Sequence, residues 1–172
     1  TQHKPIIIIK STVIPGTTRD VVLSILQRVS GKKVGKDFGL VTNPEFLRET
    51  MAVHDTLYPH VIVLGGDNNS FLKKVKRFYY NLHHNVPIVL TNYGTAEIIK
   101  YANNSFLATK ISFINQIANI CEEIPDVNVD DVSRTIGLDP RIGNLFLDAG
   151  PGYGGSCLPK DVKAIIDFST KL

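Results

Sequence analysis

Four consecutive isoleucines, Ile6–Ile9, follow Pro5 near the start of the chain and leave it little freedom. A run that is β-branched at every position has no polar face to turn to water, so it suits a strand buried on both sides. Three further short apolar runs, over 39–42, 60–64 and 86–90, share this continuous rather than alternating character. Helical patterns lie between them. After Pro15-Gly16, Thr17 and Asp20 read as a capping box, and Val21, Val22, Ile25, Leu26 and Val29 follow at helical spacing. Residues 69–80 place Phe71, Leu72, Val75, Phe78 and Tyr79 on one helical side. Continuous strands separated by helices predict an α/β part with a mostly parallel sheet covered on both faces.

After Thr91 the pattern changes. Residues 95–121 make one long helical pattern without glycine or proline, and residues 129–136 a shorter one. A last helix is predicted over 159–170, with Pro159 suited to its first turn and Val162, Ile165, Ile166 and Ser169 on one side. A glycine-rich loop fills 139–156. The chain therefore divides at 93/94, into half of an α/β domain over 1–93 and an all-helical domain over 94–172.

Lys plus Arg number 19 against 16 Asp plus Glu, a net charge of only +3. So small a surplus leaves no footprint for nucleic acid or an anionic membrane. The densest basic stretch, Lys73, Lys74, Lys76 and Arg77, reads as a solvated helix face, and His83 and His84 as surface residues. No apolar run approaches the ~18–20 residues that span a bilayer. Cys121 and Cys157 form neither a disulfide framework nor a metal pattern, so no metal is expected and a reduced, cytoplasmic chain is the default. The amino end lacks a signal-peptide core and opens straight into a strand, which reads as a piece of something longer.

Four segments carry chemistry. On the long helix, Lys100 and Asn104 share the apolar side with Leu107, Ala108, Ile111, Ile114 and Ala118, opposite Thr109, Ser112, Gln116 and Asn119. A cation there either pairs with something, because an unpaired buried charge costs several kcal/mol, or snorkels off the packed face. The loop from Gly150 to Asp161 brings four glycines, then Cys157, Lys160 and Asp161 at a helix start. The helix dipole and Lys160 attract negative sulfur and Asp161 repels it; Cys157 is a candidate nucleophile and Asp161 its proton-transfer partner. At a strand end, Glu45 and Glu49 are four apart and suit one pocket, or simply a solvated turn. The segment from Lys10 to Thr18 also follows a strand, and its hydroxyls suit a phosphate or ribose, although no P-loop or G-x-G-x-x-G is present.

Together Ser11-Thr12-Val13, the segment from Asn43 to Glu49, the segment from Glu97 to Asn104, Asp139-Pro140-Arg141-Ile142-Gly143 and the segment from Gly150 to Asp161 resemble the UDP-glucose/GDP-mannose dehydrogenase family of nucleotide-sugar dehydrogenases. The resemblance spans essentially the whole chain, in order. It implies the second half of a Rossmann-like NAD-binding domain followed by a central helical domain that dimerises through the long helix 95–121. It also implies oxidation of a sugar C6 alcohol to the carboxylate, UDP-glucose to UDP-glucuronate, with two NAD⁺, one water and a covalent thioester.

By that resemblance Cys157 is the nucleophile, Lys100 and Asn104 stabilise the oxyanion, Asp161 with Thr12 serves the hydrolytic water, and Glu45 is the acid/base. Ser11, Thr12, Glu49 and Lys160 fall on the cofactor side. Glu45, Phe46, Leu47, Arg48, Lys100 and Asn104 fall on the substrate side. Asp148, Gly150, Gly152, Tyr153 and Gly154 belong to a loop over the UDP-sugar, and Arg141 to a substrate arginine from the neighbouring subunit of a homodimer. Ser156 speaks against an N-acetyl sugar, and residues 139–143 favour the UDP-glucose branch over GDP-mannose. Two departures stand out. Pro59-His60-Val61 replaces the family's Pro-Asp-Arg, and the glycine fingerprint and carboxyl-terminal domain are missing, so the chain alone is expected to be inactive. A non-catalytic dimerisation module is the alternative from another class. A thiol redox sensor would need a resolving cysteine, for which Cys121 is poorly placed.

Overall fold

In the computed structural model, which describes residues 4–172, the isoleucines form strand β1 (Ile6–Ile9). It runs parallel to β2 (Gly39–Thr42), Ile6 facing Gly39 and Ile9 facing Thr42. Strands β3 (Ile62–Gly65) and β4 (Ile88–Thr91) are likewise parallel to each other. Two of the three pairings thus follow expectation, in the order β1-β2-β3-β4. The third departs from it: β2 and β3 meet antiparallel through Thr42 and Gly65. Between them lie an irregular strip, a 3₁₀ turn (Glu49–Met51) and a short helix α2 (Ala52–Leu57), not the long crossover helix that a parallel neighbour needs. The sequence reading gave no sign of α2, which is too short to show a period.

Both faces of the sheet carry packing, complete at β2 and β3, whereas β1, expected buried, is half-buried throughout and Val89 of β4 is 42% exposed. On one, Ile6, Ile8, Val41, Ile62 and Leu64 pack with Leu72 and Val75 of α3 (Asn69–Leu82). On the other, Ile7, Ile9 and Leu40 pack with Val22, Leu23, Leu26 and Tyr93. This explains why every residue of β1 had to be apolar. Complete burial of a side chain such as Leu64 stabilises by about 1.5–3 kcal/mol. Gly65 marks where a helix presses on the sheet: a Cβ there would stand 2.6 Å from the Ala96 methyl and 2.7 Å from the Asn92 carbonyl.

Several helix details correct the sequence reading. The first helix begins as a π-helical segment (Thr17–Leu23) before α1 (Ser24–Ser30), and no side chain caps its start. The expected Thr17/Asp20 box does not form, because Gly16 caps in the left-handed region at φ 96°. Asn68 caps α3, accepting from the Ser70 and Phe71 amides at 3.0 and 3.3 Å. Phe78 is 57% exposed, so the buried side of α3 is narrower than its apolar side. The basic stretch Lys73–Arg77 keeps its charges in solvent.

The long helix α4 (Tyr93–Glu122) starts two residues earlier than predicted, because Asn92 Oδ1 accepts from the Thr95 amide at 2.8 Å. The fold divides into two compact units, one up to Lys100 and one over Tyr101–Leu172, so α4 serves both. In the second unit, Tyr101, Ala108, Ile114, Cys121 and Leu147 are buried. It contains α5 (Val129–Gly137), capped by Asn128, and α6 (Cys157–Ser169). The buried side of α6 corrects expectation in part: Val162 and Ile165 are half-buried as expected, but Ile166 is 56% exposed and Ser169 exposed, and Asp161 is the buried residue. Among the described residues no helix is long and apolar enough to cross a membrane, and no group of three or more His, Cys, Asp or Glu gathers for a metal ion.

Candidate functional site

The first unit gathers its candidate residues where β2 runs out. Asn43, 2% exposed, donates from Nδ2 to the Val63 carbonyl at 2.9 Å and accepts on Oδ1 from Lys10 Nζ at 3.1 Å and the Tyr79 hydroxyl at 2.5 Å. This anchors the strip that follows. Glu45 Oε2 accepts from the Leu47 amide at 2.6 Å, so the turn is tied to its own carboxylate. Arg48 is fixed to α2: its backbone amide, Nε and Nη2 donate to Asp55 at 2.9, 2.9 and 2.6 Å. The Arg48 guanidinium holds the Asp55 carboxyl far below the usual carboxylate range. Asp55 was not singled out in the sequence, since nothing there ties it to Arg48.

Lys100 reaches this strip. It is 3% exposed, with Nζ 3.6 Å from Glu45 Oε1 and 5.3 Å from the Phe46 ring centroid. The snorkelling alternative therefore fails, and the buried cation has both a carboxylate and an aromatic face. His60 stands edge-to-face against Phe46, ring centroids 5.6 Å apart. A cavity of about 290 Å³ opens beside the strip, lined in part by Lys10, Asn43, Glu45, Phe46, His60 and Tyr79. Partial burial lowers the Lys10 pKa, opposed by the nearby Glu45, and burial raises that of Tyr79. His83 is half-buried and stacks on Tyr79, a correction to its reading as a surface residue.

In the second unit the thiol and its surroundings contrast sharply. Cys157 is the first residue of α6 and is exposed, its Sγ 3.6 Å from Ser156 Oγ. One turn on, Asp161 is 1% exposed. Its Oδ2 accepts from Asn104 Nδ2 at 2.7 Å, and its Oδ1 is paired with Lys160 Nζ. That contact raises the Lys160 pKa. Lys100 and Asn104, expected as one pair, thus each have a carboxylate of their own: Glu45 for the cation, Asp161 for the amide. Lys160, expected on the cofactor side, is paired with Asp161 while its side chain is 57% exposed.

The glycine loop is tied back to α4. Asn115 Oδ1 accepts from the Gly150 amide at 3.0 Å, and Lys110 Nζ donates to the Ile142 and Gly143 carbonyls at 3.1 and 3.2 Å. Asp148, Gly150, Gly152 and Gly154 are exposed and Tyr153 is half-buried; Gly152 adopts φ 97°, a conformation that favours glycine. Arg141 is 87% exposed and forked onto Asp139, whose carboxyl it holds below the ordinary range. Asn115 and Lys110 were missed by the sequence reading; a helical polar residue aimed at a loop backbone amide or carbonyl leaves no spacing signal.

Ser11 and Thr12 sit at the carboxyl end of β1, the end at which parallel strands hold nucleotides. Ser11 is exposed and Thr12 half-buried, hydroxyls of the kind that suit a phosphate or ribose. The Glu49 side chain, also expected on the cofactor side, lies outside the described residues.

Sequence and fold comparisons add the following. Residues 94–172 match the central domain of the UDP-glucose/GDP-mannose dehydrogenase family, and residues 1–83 match its NAD binding domain. The UDP-glucose 6-dehydrogenase of Rickettsia conorii is 48% identical over 160 residues, covering 93% of this chain and 35% of that relative. The Haloferax volcanii UDP-glucose 6-dehydrogenase AglM is 48% identical, over 94% of this chain and 38% of its own length. Among solved structures, a UDP-glucose dehydrogenase from Pyrobaculum islandicum superposes with a TM-score of 0.83 at 38% identity, covering 96% of this chain and 37% of that one. The chain therefore spans a little over a third of the length of these relatives.

Proposed function

Because the chain belongs to the UDP-glucose/GDP-mannose dehydrogenase family, we propose that the protein it forms part of oxidises the C6 alcohol of UDP-glucose to the carboxylate of UDP-glucuronate. The observation that carries this reading is Cys157, an exposed thiol opening α6 with the buried Asp161–Asn104 pair one turn behind it. Such a thiol suits attack on a carbonyl carbon, and such a carboxylate suits directing water onto the product of that attack.

When bound, NAD⁺ accepts the hydrides of both oxidations. Ser11, Thr12, Glu49 and Lys160 would hold it. The Glu45–Lys100 pair takes the C6 hydroxyl proton as the alcohol becomes an aldehyde. Cys157 then releases its thiol proton to water as Sγ adds to the aldehyde carbon, and the oxygen of the resulting thiohemiacetal is stabilised as an oxyanion by the Lys100 ammonium and the Asn104 amide. Loss of a second hydride leaves a thioester on Cys157. Asp161, with Thr12, draws a proton from water as that water attacks the carbonyl, and the C–S bond breaks to restore the thiol.

Phe46, Leu47, Arg48 and the loop residues Asp148, Gly150, Gly152, Tyr153 and Gly154 hold the sugar nucleotide in this reading. We place the junction of the two domains at 93/94 and the protein in the cytoplasm as a homodimer. Phe106, Phe113 and Ile120 support the dimer: they are 65%, 51% and 56% exposed and recur every seven residues along α4, an apolar stripe suited to a second copy. The forked, exposed Arg141 supports service in a partner's site rather than its own.

The test uses the complete polypeptide with NAD⁺ and, separately, UDP-glucose, UDP-galactose, UDP-N-acetylmannosamine and GDP-mannose. Two NADH per UDP-glucose consumed is the expected result. Two NADH with another sugar keeps the chemistry and changes the substrate; none with any of them contradicts the proposal and favours the non-catalytic dimerisation module.

A further inference from the structure

Among the described residues, Glu97 is a buried carboxylate without a cation. It lies in the second turn of α4, is 2% exposed, and forms no ion pair among the described residues. Its oxygens take two backbone donors from far upstream: Oε2 accepts from the Gly16 amide at 2.7 Å and Oε1 from the Thr18 amide at 2.9 Å. A carboxylate this desolvated persists only when its lone pairs are answered, and two amides at the opening of a helix answer them. The loop gripped in this way begins with Lys10, Ser11 and Thr12. One turn beyond Glu97, the same helix presents Lys100 to Glu45 and Phe46.

We infer that Glu97 is a positioning residue for Lys100, clamping the start of α4 to the loop after β1 so that the ammonium stands beside Glu45 and over the Phe46 ring. The inference rests on the role given to Lys100 above. The geometry argues for placement rather than mere adhesion. Helix docking has other holds: Tyr93, 1% exposed, donates its hydroxyl to the Leu40 carbonyl at 3.0 Å, and Ala96 is completely buried against Gly65. These precede Glu97, which makes the nearest upstream tie to Lys100. A one-residue slip of a helix turns a side chain by about 100° and moves it about 1.5 Å, so a tie one turn away governs where a buried ammonium points.

The test is a double-mutant cycle in the complete enzyme, with Glu97→Gln, Lys100→Met and the pair, reading single-turnover rate, KM for the sugar nucleotide and Tm. Glu97→Gln keeps one acceptor but sets an amide N–H₂ against the Gly16 or Thr18 donor. The expected result is a folded enzyme with KM for the sugar nucleotide little changed and a rate about 10–100-fold lower. That loss should vanish in the Lys100→Met background, because Glu97 acts through Lys100. An unchanged rate in Glu97→Gln, or the same factor lost with and without Lys100, overturns the inference. If Glu97→Gln does not accumulate as folded enzyme, Glu97→Asp, which withdraws the charge by one methylene, takes its place in the cycle under the same criteria. Full turnover by Lys100→Met alone contradicts the role of Lys100 itself and removes the inference with it.

Discussion

The unit up to Lys100 buries a few polar and ionic groups, each answered by a partner, whereas the helical unit leaves the Cys157 thiol in solvent and buries Asp161 one turn behind it. Lys100, Glu97 and Asn43 are all at most 3% exposed, and they meet Glu45, two backbone amides, and the Lys10–Tyr79 donors respectively. Cys157 is exposed on a helix start preceded by glycines, and Asp161 behind it is enclosed together with Asn104. Groups that must hold a fixed charge are packed, because a low-dielectric setting strengthens their field and removes reorganisation. Under the proposed chemistry, a thiol that forms and breaks a covalent bond has to stay accessible.

The largest effect should come from removing the exposed atom. Cys157→Ala in the complete enzyme is expected to reduce NADH formation by about three orders of magnitude or more. Iodoacetamide should label Cys157 in the native protein while Cys121, 8% exposed, stays protected. Equal labelling of both thiols would erase the contrast between the two settings. Next in size is the apolar stripe of α4: Phe113→Asp should shift a sedimentation profile from dimer to monomer, and an unchanged profile would move the interface elsewhere.

A smaller effect probes the buried group behind the thiol. Asp161→Ala strips Asn104 of its acceptor while leaving Lys160, 57% exposed, free to hydrate. Denaturant unfolding of the helical unit should fall by about 1–3 kcal/mol, the cost of one unanswered buried amide. No change would show that Asp161 is less essential to packing than its burial implies. The smallest concerns Asp139, whose carboxyl Arg141 holds below its ordinary value. A depressed carboxylate adds stability above its unfolded pKa and loses it as pH falls through the folded one. Arg141→Ala should therefore raise the Asp139 midpoint in a ¹³C titration toward 3.8, with little change in stability because the pair is exposed.

Much of this arrangement is written locally. Strand β2 falls on the residues where its apolar run lies, and Lys100 and Asn104 announce themselves as polar residues on an apolar face. The family resemblance, too, rests on contiguous motifs. What the sequence hid depends on partners far apart in the chain. Thr17 and Asp20 look like a capping box, but Gly16 takes a left-handed turn and a carboxylate 81 residues downstream answers its amide. Glu97 sits three residues before Lys100 and seven before Asn104, on the same buried side. That spacing was the one available signal, and backbone amides as partners leave no side-chain pattern to complete it. The division of carboxylates, Glu45 to Lys100 and Asp161 to Asn104, is likewise a product of packing.

The central claim is that Cys157 carries the sugar as a thioester. The most direct measurement is peptide mass spectrometry of the complete enzyme, acid-quenched during turnover with NAD⁺ and UDP-glucose, using Asp161→Asn to slow hydrolysis. The account predicts an adduct with the mass of the oxidised nucleotide sugar on the peptide containing Cys157, absent when NAD⁺ is omitted. Two NADH per sugar with Cys157 unmodified at every time point would contradict it.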